Sequence, residues 1–307
     1  MRECVFFTRY DTMTLTDLRY LVTLAELRHF AKAAAACFVS QPTLSIAIKK
    51  LEDELDITLF ERHRHELLVT PAGERIIQQA KVVLHESEHL KQLAQAEHDE
   101  FAQPLRLGAI FTVAPYIFPT LIPKLHQTAP TLLLYLEENY TAVLADKLAA
   151  GELDVILVAA PFEQIETQHQ DLFSEDFCLL LPQQHAWRDK ETIAACDLAN
   201  APMLMLGEGH CFRDQILASC PMNNPKLSNG NSLETLRFMV ANGLGLTLIP
   251  AISVPYLVND SLITKTIRPA PTRRIRAVWR RRFPRPQAIR VLIQALQQLN
   301  LAGSQPL

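Results

Sequence analysis

The chain has 307 residues, 49% of them hydrophobic and 21% charged, with a formal net charge of −3. That is enough apolar material for two or three cores, and it excludes a disordered, highly charged chain. No run of 18 apolar residues occurs, so no membrane span is expected. The opening MRECVFFTRYDT has acids at Glu3 and Asp11 and lacks the long apolar core of a signal peptide. Met13 reads as an alternative start, with residues 1–12 an upstream extension, and the expected location is cytoplasmic. The six cysteines are Cys4, Cys37, Cys178, Cys196, Cys211 and Cys220. In a reducing compartment they argue against a structural disulfide framework. No Cys or His spacing suggests zinc, and neither a metal nor a cofactor is expected.

Leu15–Leu27 carries Leu18, Leu21, Val22 and Ala25 at helical spacing, and Phe30–Ala36 is a second helix of small residues. Cys37-Phe38-Val39 joins it tightly to a third helix, Gln41–Leu55, with Leu44, Ile48, Leu51 and Leu55 on one face. Ser40 offers an N-cap oxygen, and Pro42 suits a first helical turn. Helix, three-residue turn and helix make a helix-turn-helix. Ser40, Gln41, Thr43, Ser45 and Lys49 lie off the apolar stripe, short polar and cationic groups suited to base edges and phosphates. From Arg28 to Leu51 there are four Lys or Arg (Arg28, Lys32, Lys49, Lys50) and no acid. Local charge of this kind is what a phosphate backbone meets. The run SQPTLSIAIKKLEDEL resembles the recognition helix of LysR-type transcriptional regulators. The resemblance implies double-stranded promoter DNA as partner, read from Ser40, Gln41, Pro42, Thr43, Ser45 and Lys49.

Leu59–Thr70 resembles the wing of the same family, placing Arg62 and Arg64 against the DNA backbone or minor groove. His63 and His65 have no partner of metal-ligand type nearby and are expected in solvent. A long helix starts at Ala72, in which Ile76, Ala80, Val83, Ser87, Leu90 and Ala94 recur at steps of four and three. That is a heptad seam over about three heptads. An exposed apolar seam calls for a second copy, so a homodimer or homotetramer presenting paired recognition helices is expected.

His98–Pro104 is polar and ends that helix. Strands at Leu105–Ile110, Leu132–Leu136 and Val155–Val158 then alternate with helices at Ile117–Gln127 and Thr141–Ala150, which predicts an open parallel sheet. Phe177–Leu181 reads as a crossing to a second lobe. That lobe is assigned Met203–Leu206, a helix at Arg213–Ser219 with Ile216 and Leu217 inward, Leu233–Ala241, Gly245–Ile249 and Ala277–Arg280. Pro286–Leu299 is a helix expected to pack back on the first lobe. From Ser261 onward there are ten Lys or Arg and no acid; this block reads as a solvated face or a contact to the acidic middle of the chain.

The most informative stretch is Gly209-His210-Cys211-Phe212-Arg213-Asp214-Gln215, followed by Cys220. Neighbouring cations and a helix start both favour the thiolate, the reactive form of cysteine. If residues 211–220 stay helical, nine steps of about 1.5 Å hold the two Cα atoms roughly 13 Å apart. A disulfide needs about 4.4–6.8 Å, so closing one would unwind the helix between them. The alternative is a pair of ordinary buried cysteines.

The string GEGHCFRDQ with Cys220 resembles the peroxide-sensing segment found among LysR-type regulators, and the resemblance covers nearly the whole chain, about Met13 to Leu299. It implies an α/β chain with an N-terminal winged helix-turn-helix (13–71), a long dimerising linker helix (72–101) and a two-lobed, periplasmic-binding-protein-like regulatory domain (104–301). It also implies hydrogen peroxide as signal, held by Thr112, Thr141, His210, Arg213 and Asp214, and a reversible Cys211–Cys220 disulfide reset by glutaredoxin or thioredoxin. RNA polymerase is a further expected partner, and no turnover enzyme is implied. Two other readings stay open: a regulator sensing a small metabolite in the inter-lobe cleft, and a thiol peroxidase or binding-protein-like enzyme.

Overall fold

The computed structural model describes residues 13–62, 67–96, 100–220, 229–257 and 261–307. The expected extension 1–12, together with His63, Arg64 and His65, lies outside them. The chain forms two units, one running up to Ala94 and one spanning Gln95–Leu307. Among the described residues no single helix is long and apolar enough to cross a membrane.

The first unit contains α1 (Leu15–Leu27), α2 (Phe30–Ala36), α3 (Gln41–Leu55), β1 (Phe60–Arg62), β2 (Leu67–Val69) and α4 (Pro71–Ala96). Thr14 and Asp17 form a reciprocal capping box at the start of α1. Ser40 caps α3, its Oγ accepting from the Thr43 amide at 3.3 Å. The core takes Leu18, Leu21 and Leu24 from α1, Ala33 and Ala34 from α2, and Leu44, Ile48 and Leu51 from α3. Ala33 and Ala34 are fully buried, and their small size lets α2 lie close to its neighbours. The β1–β2 hairpin pairs Phe60 with Val69. Gly73 is required beneath it, because a Cβ there would collide with the Leu59 carbonyl oxygen.

The linker seam is shorter than its heptads suggested. Ala80 and Ile77 are buried and Ile76 is half-buried, all packed on the helix-turn-helix core. The apolar seam positions left exposed are Val83, at 38%, and Leu90, at 69%. The first turns of α4 thus serve their own domain, and the side chain of Ala94 lies outside the described residues.

The second unit begins with β3 (Leu105–Ile110), α5 (Ala114–Thr128), β4 (Leu134–Asn139), α6 (Thr141–Ala149), β5 (Val155–Ala159) and β6 (Thr167–Pro182). It continues through β7 (Thr192–Ala194), β8 (Met205–Leu206), α7 (Cys211–Ser219), β9 (Asn229–Gly230), α8 (Leu233–Ala241), β10 (Thr247–Pro250), β11 (Leu262–Arg268), β12 (Thr272–Arg280), α9 (Pro286–Gln297) and β13 (Ser304–Pro306). Helix α5 starts three residues before the expected Ile117 and runs through Pro119 and Pro123. Pro115, Pro119 and Pro123 all fall on its exposed side, where the carbonyls they leave unpaired can bond water.

As expected, β3 pairs in parallel with both β4 and β5. The sheet does not stop there. It continues as one mixed sheet in the order β4-β3-β5-β12-β6-β11-β7, with β10 and β13 also on β6. The crossing is therefore all of β6, not Phe177–Leu181 alone. Its first half pairs with β12, and its second half with β10 and β11. Ala277–Arg280, expected in the second lobe, is the end of β12 and lies against β5, with Ala277 opposite Leu157. Helix α9 packs on α5, as expected. These strand ends and helix starts place the loop after β3, the start of α6 and the start of α7 around one small hollow.

Candidate functional site

Cys211 is the first residue of α7, and His210 is its N-cap. The approach is made by Gly209 at φ +88°, a left-handed conformation open to glycine, against the ring of Tyr140. Helix α7 is intact from Cys211 to Ser219, and the amide of Cys220 donates to the Ile216 carbonyl at 2.9 Å. Both cysteines are free thiols, Cys211 half-buried and Cys220 buried. Burial pushes the Cys220 thiol pKa up, so it stays protonated where it stands. Phe212 and Ile216 form the inner face of α7. Leu217, expected inward, is 41% exposed, because it falls about 100° round the helix from Ile216.

A small pocket of about 10 Å³ opens beside Cys211, walled by Phe111 and Thr112 after β3, Tyr140 and Thr141 at the start of α6, and Gly209 and His210. That is about the room one water-sized molecule needs, far below the roughly 300–1,000 Å³ of sites that hold larger organic ligands. Two buried polar atoms of its wall, Thr141 Oγ1 and His210 Nε2, have no hydrogen-bond partner. Unpaired buried groups cost about 1–3 kcal/mol, and a small ligand with donors and acceptors would satisfy them. A larger hollow of about 230 Å³ adjoins it through Phe111, Thr112 and His210, and reaches Glu138 and Glu234. Burial raises the pKa of Glu138.

Four of the residues singled out in the sequence, Thr112, Thr141, His210 and Cys211, therefore converge. Arg213 and Asp214 do not line the pocket. Arg213 lies about 200° round the helix from Cys211 and donates from Nη1 to the Leu206 carbonyl at 3.0 Å, while Asp214 is exposed. The expectation that His210 contributes a cation is also corrected. Burial lowers its pKa, against a backbone hydrogen bond with Asn231 that raises it, so the ring is neutral at pH 7. It packs edge-on to Tyr140 with ring centroids 4.8 Å apart, and against Phe111 at 5.6 Å.

The cation at this site is one that sequence spacing did not single out. Arg273, on β12, lies 3% exposed with its guanidinium over the Phe212 ring, 4.9 Å from the centroid. It donates from Nη1 to Thr112 Oγ1 at 2.8 Å and from Nη2 to the Thr112 carbonyl at 3.1 Å. It also pairs with Glu175 of β6, Nε to Oε1 at 2.9 Å, and Glu175 Oε2 accepts from the Ile252 amide at 3.0 Å. Arg273 belongs to the basic block from Ser261 onward, and its pair with Glu175 is a contact to the acidic middle of the chain, one of the two readings of that block. Alternation along β12 was the available signal, since Arg273 points in while Arg274 and Arg276 bond to Asp171.

In the first unit, Ser40, Gln41, Pro42, Thr43 and Lys49 are exposed and Ser45 is half-buried. Ser40 and Thr43 also share a hydroxyl–hydroxyl hydrogen bond of 2.7 Å. The backbone of Arg62 is the end of β1, and its side chain, like all of Arg64, lies outside the described residues. Among the described residues no cluster of three metal-ligating side chains occurs.

Comparison with known proteins is consistent along the chain. Residues 15–74 match the helix-turn-helix of the bacterial regulatory lysR family, and residues 98–300 match the LysR substrate binding domain. The chain is 41% identical over 290 residues to the DNA-binding transcriptional dual regulator OxyR of Escherichia coli, covering 93% of this chain and 95% of that one. Among solved structures, it is similar to a cysteine-to-aspartate variant of full-length OxyR from Pseudomonas aeruginosa, with TM-score 0.78 and 45% identity over 95% of this chain and 98% of that chain. It also resembles a cysteine-to-serine variant of OxyR from Corynebacterium glutamicum with hydrogen peroxide bound, with TM-score 0.62 and 30% identity over 94% and 93% of the two chains.

Proposed function

The chain belongs to the LysR family of bacterial transcriptional regulators, and on that premise we propose that it is a hydrogen-peroxide-sensing DNA-binding regulator of oxidative-stress genes, switched by a Cys211–Cys220 disulfide. One observation carries this reading. Cys211 borders a pocket with two orphaned polar atoms, and its partner thiol stands at the far end of an intact helix.

The chemistry balances without a cofactor. The Cys211 thiolate attacks one peroxide oxygen, the O–O bond breaks, and the departing hydroxide takes up a proton to leave as water. The product is a sulfenic acid. Thr112, whose hydroxyl accepts from Arg273 and keeps its own proton, would donate to that leaving oxygen. Thr141 and His210 complete the contacts. Helix α7 then unwinds, Cys220 sulfur attacks the sulfenic sulfur, and a second water leaves as the disulfide forms. The product is an altered protein and no turnover enzyme is involved; glutaredoxin or thioredoxin resets it. The winged helix-turn-helix spans 13–71, the linker segment 72–101, with its helix running to Ala96, and the regulatory domain 104–301. The protein works in the cytoplasm as a homodimer or homotetramer and engages RNA polymerase at promoters. The test is DNA retardation alongside thiol counting. One equivalent of peroxide should remove two thiols per chain and change the retarded complex. Thiols untouched, with a small metabolite changing the complex instead, would favour the larger adjoining hollow as the sensing site.

Two variants probe the other parts. Lys49→Ala should weaken binding to all DNA sequences and flatten the salt dependence by about one unit, as loss of a phosphate contact does. A change confined to sequence preference would show that Lys49 faces bases. Val83→Glu with Leu90→Glu puts charges on the exposed part of the seam. Burying them between subunits would cost several kcal/mol, on the order of the penalty for unpaired charge. Sedimentation should show smaller species; an unchanged oligomer would remove the linker helix from the interface.

A further inference from the structure

The turn before α3 contains a residue that neither folding nor peroxide sensing explains. Phe38 has φ +57°, and its side chain is 96% exposed. The amides of this turn are bonded. The Phe38 amide donates to the Ala35 carbonyl at 3.1 Å and the Val39 amide to the Ala34 carbonyl at 3.0 Å, the paired bonds of a Schellman motif closing α2. The residue at this place in such a motif is usually glycine, because a left-handed conformation crowds any Cβ. A bulky aromatic is an outlier there. Nothing is regained by burial, since the ring touches no core. A strained backbone carrying a large, uncovered apolar group points to a contact outside the fold.

Its surroundings indicate which contact. Phe38 stands two residues before Ser40, the cap of α3, within the acid-free stretch from Arg28 to Leu51. Ile46 is a second apolar side chain left 68% exposed, on the side of α3 away from Leu44, Ile48 and Leu51. An apolar surface framed by cations and short polar groups suits DNA, whose apolar features are thymine methyl groups and deoxyribose C–H faces.

We propose that Phe38 makes an apolar contact with bound DNA and helps to set the affinity of the regulator for its site. This rests on the reading of α3 as the recognition helix. Phe38→Gly in the full chain should raise the thermal midpoint by relieving the left-handed strain, yet weaken binding to a target duplex by about tenfold. The salt dependence should keep its slope, because no phosphate contact is lost. Phe38→Asn, which tolerates the conformation, should weaken binding similarly. Replacing thymines of the site by uracil distinguishes the two apolar sources. A methyl contact would weaken wild type and leave Phe38→Gly unaffected, whereas a sugar contact would leave both unaffected. Unchanged affinity in both variants, a reduced salt slope, or a change of oligomer instead of affinity would overturn the proposal. The Lys49→Ala control separates this from the recognition helix itself: loss with Lys49→Ala but not with Phe38→Gly refutes Phe38 alone.

Discussion

Cys211→Ser is expected to abolish the response to peroxide completely, while Cys220→Ser still permits oxidation of Cys211 but yields no intramolecular disulfide. The two thiols differ because α7 treats its ends differently. Cys211 occupies the first turn, where free amides favour an anion, and it is half-buried beside the pocket. Cys220 is buried, with its pKa raised by burial. It becomes reactive once α7 unwinds, since nine helical steps hold the pair roughly 13 Å apart. Peptide mapping after one equivalent of peroxide should find a Cys211–Cys220 link in wild type and in neither variant. A dominant link through Cys37, Cys178 or Cys196 would overturn the pairing. Cys178 is a poor competitor on physical grounds, because burial pushes its pKa up to about 11.

Arg273→Ala should be the most damaging single change away from the cysteines. Its guanidinium and the Glu175 carboxylate are almost wholly inaccessible, at 1% and 0% side-chain exposure. Removing one member of such a pair strands the other and costs about 3–5 kcal/mol. The urea midpoint should fall accordingly. Thiol loss with peroxide should also slow by tenfold or more, since Thr112 loses both of its donors. Arg273→Lys should rescue little, because one ammonium cannot reach Glu175, the Thr112 hydroxyl and the Thr112 carbonyl with the same fork geometry. Stability within 1 kcal/mol of wild type, together with an unchanged rate of thiol loss, would remove Arg273 from the site.

Much of this protein was legible because the signals are local. Leu44, Ile48 and Leu51 recur at helical spacing, Ser40 caps the helix they define, and the two cysteines bracket a short helix. All are written within a dozen residues, and hydrogen bonds between near neighbours enforce them. Phe38 shows the opposite case, a position where the local rule for a helix end is broken and sequence reading saw just a connection.

Residue chemistry by itself determined a helix-turn-helix, a linker helix with an apolar seam, alternating strands and helices, and a cysteine separated from a second by a helix. The tertiary structure decided the rest. Among the described residues it joined nine strands into one sheet through β6 and β12, used half of the linker seam inside its own domain, and turned Arg213 away from the pocket. It buried His210 into a neutral state and brought Arg273 to Thr112 across 161 positions and to Glu175 across 98. Charge state and ion pairing depend on what burial removes from water and on which groups meet there, and those neighbours come from distant parts of the chain.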